Sequence, residues 1–171
     1  MRKILARQSG FTFIELLLYV ALMSVLLFGI SAFLMVFLEA RVKNKTIAEV
    51  EQQGMQVMQI LVQTIHNAES ITLPTAGVSG NTLTLVTAGA TNPTTVSLAT
   101  NAIQLSEGGA AAVPLTNARV TASAFTAQNL SRPATPGIIR LQFTLTAVNP
   151  TKRGEYSYAR TFIGGAALHQ P

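Results

Sequence analysis

An apolar run from Leu16 to Leu38, without a charged residue, is the feature that most constrains this chain. As an α-helix rising about 1.5 Å per residue it would span roughly 34 Å, enough to cross a hydrocarbon core of ~30 Å. The sequence therefore predicts a transmembrane helix over residues 11–38. A short polar and basic leader, residues 1–10, precedes it.

Glu15 lies directly before this run, and a carboxylate costs about 2.5–3.5 kcal/mol near the bilayer centre and less toward the interface. Three interpretations compete. A cleavable secretory signal peptide has an apolar core of about 7–15 residues and a small-x-small site, which residues 37–40 match poorly. A plain membrane anchor explains the length but leaves Glu15 without compensation. An anchor that also packs into a protein assembly, where Glu15 finds a cationic partner, explains both features.

The helical pattern continues beyond the apolar run. Between Glu39 and Glu69 there is no proline, and apolar residues recur in steps that are mostly three and four, which indicates one helical stripe. The stripe consists of Val42, Ile47, Val50, Met55, Met58, Val62 and Ile65. We expect an amphipathic half of the same helix over residues 39–70. Gly54, inside it, costs about 1 kcal/mol relative to alanine and is a bend, a close-packing point or a tolerated glycine.

Residues 71–171 differ in character, because Ser, Thr, Asn, Gly and Pro separate short segments of alternating apolar residues. These segments are predicted strands, at residues 82–87, 95–98, 102–105, 119–125, 138–146 and 155–162. Gly164-Gly165 is expected to mark the end of the last strand. The predicted fold is α+β, with the second half of the helix packed on a C-terminal antiparallel β-sheet domain.

Several kinds of chemistry are not expected. The chain has no cysteine and no aspartate, which argues against disulfides, thiolate metal sites and oxygen-ligand calcium sites. His66 and His169 are far apart in sequence, lack acidic companions at ligand spacing, and do not predict a metal site. His169 is expected in a loose tail. No G-x-S-x-G motif and no His–Asp partner set is present, so a hydrolase is unsupported.

The net charge of +5 is weak evidence for a nucleic-acid partner. Three of the twelve basic residues, Arg2, Lys3 and Arg7, belong to the leader. The remaining candidate patch on the β-rich region consists of Arg140, Lys152, Arg153 and Arg160. A solvated face is the favoured interpretation of this patch, and contact with DNA is the alternative.

The segment Gly10-Phe11-Thr12-Phe13-Ile14-Glu15, between a basic leader and the apolar run, resembles the class III signal of type IV pilins and type II secretion pseudopilins. The resemblance implies that a prepilin peptidase cuts between Gly10 and Phe11 on the cytoplasmic side and methylates the new Phe11 amine. Glu15 then corresponds to the family's glutamate five residues into the mature chain. Its carboxylate can pair with the Phe11 amino group of a neighbouring subunit, or with its own.

Orientation depends on this resemblance. The leader carries three basic residues, and three more, Arg41, Lys43 and Lys45, lie just beyond the other end of the apolar run. The positive-inside rule therefore does not decide the orientation. The implied cytoplasmic cleavage decides it. The expected protein spans the inner membrane once, with the N-terminus cytoplasmic and the C-terminal domain extracytoplasmic, and enters a pilus or pseudopilus after assembly.

The resemblance implies a structural subunit that is a substrate of the peptidase, with no enzymatic activity, no catalytic residue and no cofactor of its own. Its expected partners are a prepilin peptidase, other pilin or pseudopilin subunits, an inner-membrane assembly platform and the lipid bilayer. The lack of cysteine, of aspartate and of a proline within the apolar run, with a long C-terminal region, looks more like a minor pilin or minor pseudopilin of the J or W type. Two alternatives stay open: a membrane-anchored extracytoplasmic binding domain that does not polymerise, and a competence-type minor pilin that contacts DNA.

Overall fold

The computed structural model describes residues 10–133 and 137–169. The leader residues 1–9, with Arg2, Lys3 and Arg7, lie outside the described residues. The chain divides into two units, Met1–Arg41 and Val42–Pro171. The described helix and strands are α1 Phe13–His66, β1 Ala68–Leu73, β2 Ser79–Gly80, β3 Thr82–Thr87, β4 Thr94–Ala99, β5 Ala102–Glu107, β6 Val113–Pro114, β7 Val120–Asn129, β8 Ile138–Ala147 and β9 Ala159–Ala167.

The first unit contains the apolar part of α1. Among the described residues, α1 is the helix that is long and apolar enough to cross a membrane, and its most apolar window has a mean hydropathy of 2.6. None of that window is buried within the chain. Large apolar side chains in contact with water would be unfavourable, so this surface requires lipid or another protein around it.

The end of α1 differs from the prediction. The helix ends at His66, whereas residues up to 70 were predicted to be helical, and the expected bound is wrong by four residues. Ala68–Leu73 instead forms β1, which pairs antiparallel with β3 and buries the Ala68 side chain. Pairing with a strand more than ten residues away outweighs a local helical pattern over so few residues.

The second unit contains two antiparallel sheets. One has five strands in the order β1-β3-β4-β5-β6, and the other has four in the order β2-β7-β8-β9. The α+β class and the antiparallel pairing are confirmed, and the strands divide into two sheets, a topology that the sequence left open. Alternating apolar residues show that a strand has a buried face, and they carry no information about which strands share a sheet.

The first five predicted strands correspond to β3, β4, β5, β7 and β8. The sixth, residues 155–162, is wrong in its bounds, because Gly154–Tyr156 forms a 3₁₀ turn and β9 covers Ala159–Ala167. The expected strand end at Gly164-Gly165 is also wrong, since both residues lie inside β9. The side chain of Met58 from α1 occupies the space that a Cβ of Gly164 would need, so close approach of the helix explains this glycine.

The core lies between the second half of α1 and the inner faces of the strands. β8 contributes alternating buried side chains, as its sequence predicted. The fully buried residues of α1 and β8 are Val50, Val57, Leu61, Ile65, Ile139, Leu141, Phe143 and Leu145. Met55 was placed on the buried stripe of the helix but is 62% exposed. The buried stripe instead passes through Gly54.

Gly54 is a close-packing point, which decides among the three interpretations of this residue. A Cβ built on Gly54 would overlap the ring of Phe162 in β9. That ring stacks on Phe143, with centroids 5.4 Å apart and an interplanar angle of 23°, so it is held from its other side. Gly54 therefore allows the helix backbone to approach β9 at the distance of an aromatic ring.

Candidate functional site

The predicted processing segment, residues 10–15, lies at the start of α1, where Thr12 caps the helix. The Glu15 N–H donates to Thr12 Oγ1 at 3.4 Å, and the Leu16 N–H donates to the Thr12 carbonyl at 3.2 Å. Threonine with glutamate three residues later is the sequence pattern of a capping box, in which the threonine satisfies one of the free N–H groups of the first turn. A carboxylate in the first turn also interacts favourably with the helix dipole. The start of the helix therefore offsets part of the cost of placing the Glu15 carboxylate beside the apolar run.

The Glu15 carboxylate has one weak polar partner. Tyr19, one turn later, donates from its hydroxyl to Glu15 Oε1 at 3.5 Å, longer than an ordinary O–H···O hydrogen bond. Within residues 10–133 and 137–169, no Lys, Arg or His side chain forms a salt bridge with Glu15. The described part of the chain therefore does not contain the cationic partner that was expected for Glu15.

Gly10 and Phe11 are both exposed. Among the described residues other than its chain neighbours, no atom lies within 4 Å of the position that a Gly10 Cβ would take, and Phe11 is 70% exposed. The Phe11 ring lies 5.7 Å from the ring of Tyr19. The structure thus brings Phe11, Glu15 and Tyr19 together at the start of the helix. The Phe11–Glu15 ion pair stays a prediction, because cleavage would have to create the Phe11 amine first.

Tyr19 is a residue of this site that the prediction omitted. Its signal was available, because residues four apart on a helix lie on the same face. The signal is weak in an apolar run, where most residues four apart are simply neighbouring hydrophobic side chains.

Polar contacts hold the second half of α1 to the β-rich region. Glu51 accepts hydrogen bonds from the Tyr158 hydroxyl, at 2.7 Å, and from the Arg160 guanidinium. Glu49, half a turn earlier, accepts from Asn117 Nδ2 at 2.7 Å and from Arg119 at 3.3 Å. Both glutamates precede Gly54 on α1, and their contacts join the helix to the segment before β7 and to the start of β9.

Ion pairs with glutamates neutralise part of the positive charge of the candidate basic patch. Arg160 is engaged by Glu51, and Arg153 pairs with Glu155 at 2.6 Å. Arg140 and Lys152 lie exposed on β8 and in the turn before β9. Two of the four candidate cations are therefore already neutralised, which favours the solvated face over DNA contact.

The same contacts shift pKa values. The hydrogen bonds from Arg160 and then Tyr158 hold the pKa of the Glu51 carboxyl below its usual value. The pKa of Tyr158 is raised, mainly because its hydroxyl donates to the Glu51 carboxylate. The pKa of Glu49 is lowered by the hydrogen bond from Asn117, against the opposing effect of burial.

Glu51→Gln is expected to flatten the pH dependence of the free energy of unfolding in the acidic range. The lowered folded-state pKa of Glu51 stabilises the protein above the unfolded value of 4.5, and this contribution disappears as the pH falls through the folded pKa. The variant, with no carboxyl to protonate, should lose less unfolding free energy over that range than the wild type. Denaturant titrations at a series of pH values measure this. Glu155→Gln, which alters an ion pair confined to the 3₁₀ turn, is the matched control, and an equal flattening in the control would contradict the prediction.

The two histidines are closer than predicted. Their ring centroids are 5.1 Å apart, and the His169 N–H donates to the His66 carbonyl at 3.0 Å, so His169 is held against the end of α1 rather than in a loose tail. Within the described ranges, no cluster of three or more His, Cys, Asp or Glu residues is placed to hold a metal ion.

A family model described as the prokaryotic N-terminal methylation motif matches residues 5–31. The match covers Gly10, Phe11 and Glu15 and the first part of α1, and it does not extend into the β-rich region. The chain matches no curated protein and no solved structure. The N-terminus therefore carries a type IV pilin-like signal that supports the pilin and pseudopilin family, and with the exposed apolar helix it indicates membrane anchoring.

Proposed function

We propose that this chain is a structural subunit, and a minor one, of a type IV pilus or a type II secretion pseudopilus. A prepilin peptidase cuts the Gly10–Phe11 bond and methylates the Phe11 amine, and the mature subunit assembles through α1. The observation that carries this proposal is the methylation motif at residues 5–31, continuous with a helix that is apolar and long enough to cross a membrane.

The exposed apolar helix suits a subunit that changes its surroundings. Lipid covers the segment over residues 11–38 while the subunit waits in the inner membrane. In a filament, the same segments of neighbouring subunits cover one another, so apolar area stays out of water in both states. A plain anchor would need only the first of these environments.

Glu15 supports assembly for an electrostatic reason. Its partner within the described chain is a long hydrogen bond from Tyr19, and the amine created at Phe11 is a full positive charge. A buried ion pair contributes little net stability, but an unpaired buried carboxylate is costly, so pairing between subunits favours one axial register. The pair therefore acts on specificity of assembly more than on its strength.

The proposal includes the location and partners of the subunit. The N-terminus lies in the cytoplasm, where the peptidase acts, and residues 42–171 lie outside the inner membrane. The partners are the peptidase, the assembly platform, the bilayer and other subunits. The J or W type of minor subunit is the one we favour, since the chain has no Asp for a calcium loop and no Cys for a disulfide loop.

Gly10→Val tests the proposed processing. A branched side chain at Gly10 would obstruct the approach of peptidase groups to the Gly10 carbonyl, so this variant should retain residues 1–10 and stay out of sheared filaments. Gly29→Ala is the matched control, because its position is also open and it lies within the apolar helix away from the cleavage site. Filament fractions from a host with a prepilin peptidase and an assembly ATPase provide the measurement. Wild-type incorporation of Gly10→Val would contradict the proposal, and failure of the wild-type chain to enter filaments would favour the non-polymerising anchored domain.

A further inference from the structure

A pocket of about 490 Å³ lies within the second unit, beside the first residues of its helix. One wall comes from α1, and the others come from the segment before β7, the end of β8 and the 3₁₀ turn. Its lining includes Val42, Lys45, Glu49, Arg119, Val148 and Tyr156. None of these residues belongs to the processing segment at the start of α1.

We propose that this pocket binds the headgroup of an anionic phospholipid from the membrane that anchors the chain. The inference rests on the membrane anchoring of α1 and does not require assembly into a filament. Three features of the pocket support it: its distance along the chain from the apolar run, its charge, and its apolar lining.

The first feature is the distance from the apolar run. Val42 follows Leu38 by four residues within α1, a rise of about 6 Å. The headgroup layer on each side of a bilayer is about 5–8 Å thick, the difference between a ~30 Å hydrocarbon core and a total of about 40–45 Å. The first residue that lines the pocket is thus separated from the apolar run by a length of helix comparable to the thickness of the headgroup layer.

The second feature is the charge of the pocket. Lys45 and Arg119 are two cations against the single carboxylate of Glu49, which already accepts hydrogen bonds from Asn117 and Arg119. Arg119 has five N–H donors and its side chain is 70% exposed, so donors remain for a phosphate. Lys45 forms no salt bridge among the described residues. Both cations line the pocket and can attract an anion there, although both also interact with the Glu49 carboxylate.

The third feature is the apolar lining. Aliphatic groups line the pocket together with the cations, namely Val42, Ala118, Ala147, Val148 and Pro150. A phospholipid presents a phosphate next to a glycerol backbone and the first methylene groups of its acyl chains, so it offers both kinds of group that this lining can contact. Tyr156, which also lines the pocket, has the amphipathic character that favours membrane interfaces. A free phosphate ion would leave the apolar lining unused.

The test uses the full chain in detergent, titrated with phosphatidylglycerol or phosphatidylcholine, with native mass spectrometry reporting the ratio of the two affinities. The wild type should prefer phosphatidylglycerol. Lys45→Gln and Arg119→Gln should each reduce that preference several-fold, because each removes one of the two cations that line the pocket. Ala118→Trp, which fills the pocket and leaves every charge in place, should abolish it.

Lys43→Gln is the matched control, because Lys43 carries the same charge two residues away and does not line the pocket. It should leave the preference unchanged. Equal losses in Lys43→Gln and Lys45→Gln would overturn the proposal in favour of general surface attraction, and so would a wild type without preference for phosphatidylglycerol. A chain that binds this lipid but never enters filaments would contradict the proposed function alone.

Discussion

Glu15→Val is expected to insert into the membrane and lose its leader normally, but to be strongly depleted from filaments. Valine is apolar, so it makes membrane insertion easier, and it leaves Gly10 and Phe11 unchanged. In the filament, however, the amine of a neighbouring Phe11 would lose its carboxylate. Removing one partner of a buried pair costs on the order of 3–5 kcal/mol, so incorporation should fall by about a hundred-fold or more.

The measurement compares the amount of subunit in sheared filaments with the amount in membranes. Glu39→Val removes the same charge at the other end of the apolar run and should assemble normally. Tyr19→Phe removes only the long hydrogen bond to Glu15 and should also assemble, because that bond is not the assembly contact. Filaments that contain Glu15→Val at the wild-type level would show that Glu15 serves only the helix start, as the capping position beside Thr12 allows.

Gly54→Ala is expected to destabilise the second unit, although alanine is the better helix former. Propensity alone would give a gain of about 1 kcal/mol. The added methyl group, however, would overlap the Phe162 ring, which cannot withdraw because it stacks on Phe143. Overpacking of this kind costs about 1–3 kcal/mol and occasionally more. We therefore expect a net loss of about 1 kcal/mol in the free energy of unfolding, the middle of the overpacking cost less the gain in propensity.

Hydrogen exchange of the β8 amides in the full chain measures this loss, because buried central strands exchange through global opening. Phe162→Leu should restore part of the stability in the Gly54→Ala background, although it destabilises the wild type. This sign reversal is the non-additivity expected of residues in contact. Strictly additive effects of the two changes, or a stabilising effect of Gly54→Ala, would show that the helix is not held against Phe162.

The sequence predicts those features that local patterns control. The length of the apolar run defines the first part of α1, and alternation in residues 138–146 defines β8 and its buried face. The signal around Gly10 and Glu15 is likewise local, so the motif is visible without any structure. In these cases each residue's environment follows from its immediate neighbours in the chain.

The features that the sequence does not predict depend on partners distant in the chain. The end of α1 at His66 follows from the pairing of β1 with β3, and the division into two sheets follows from strand partners that alternation does not specify. The role of Gly54 as a close-packing point follows only from the position of the Phe162 ring. Glu51 is polar and would be predicted to face solvent, but it accepts hydrogen bonds from Tyr158 and Arg160. The partners of Gly54 and Glu51 lie about a hundred positions away in the chain, and those of β1 lie more than ten positions away.

The most direct measurement of the central claim is the intact mass and N-terminal peptide map of the chain, purified from a host with an active prepilin peptidase. The account predicts a mature chain that begins at Phe11 and carries one methyl group on its amine. That result would establish the charge that Glu15 requires. A chain that still carries Arg2 to Gly10 would contradict the account, since α1 would then be a plain anchor and Glu15 would have no cationic partner.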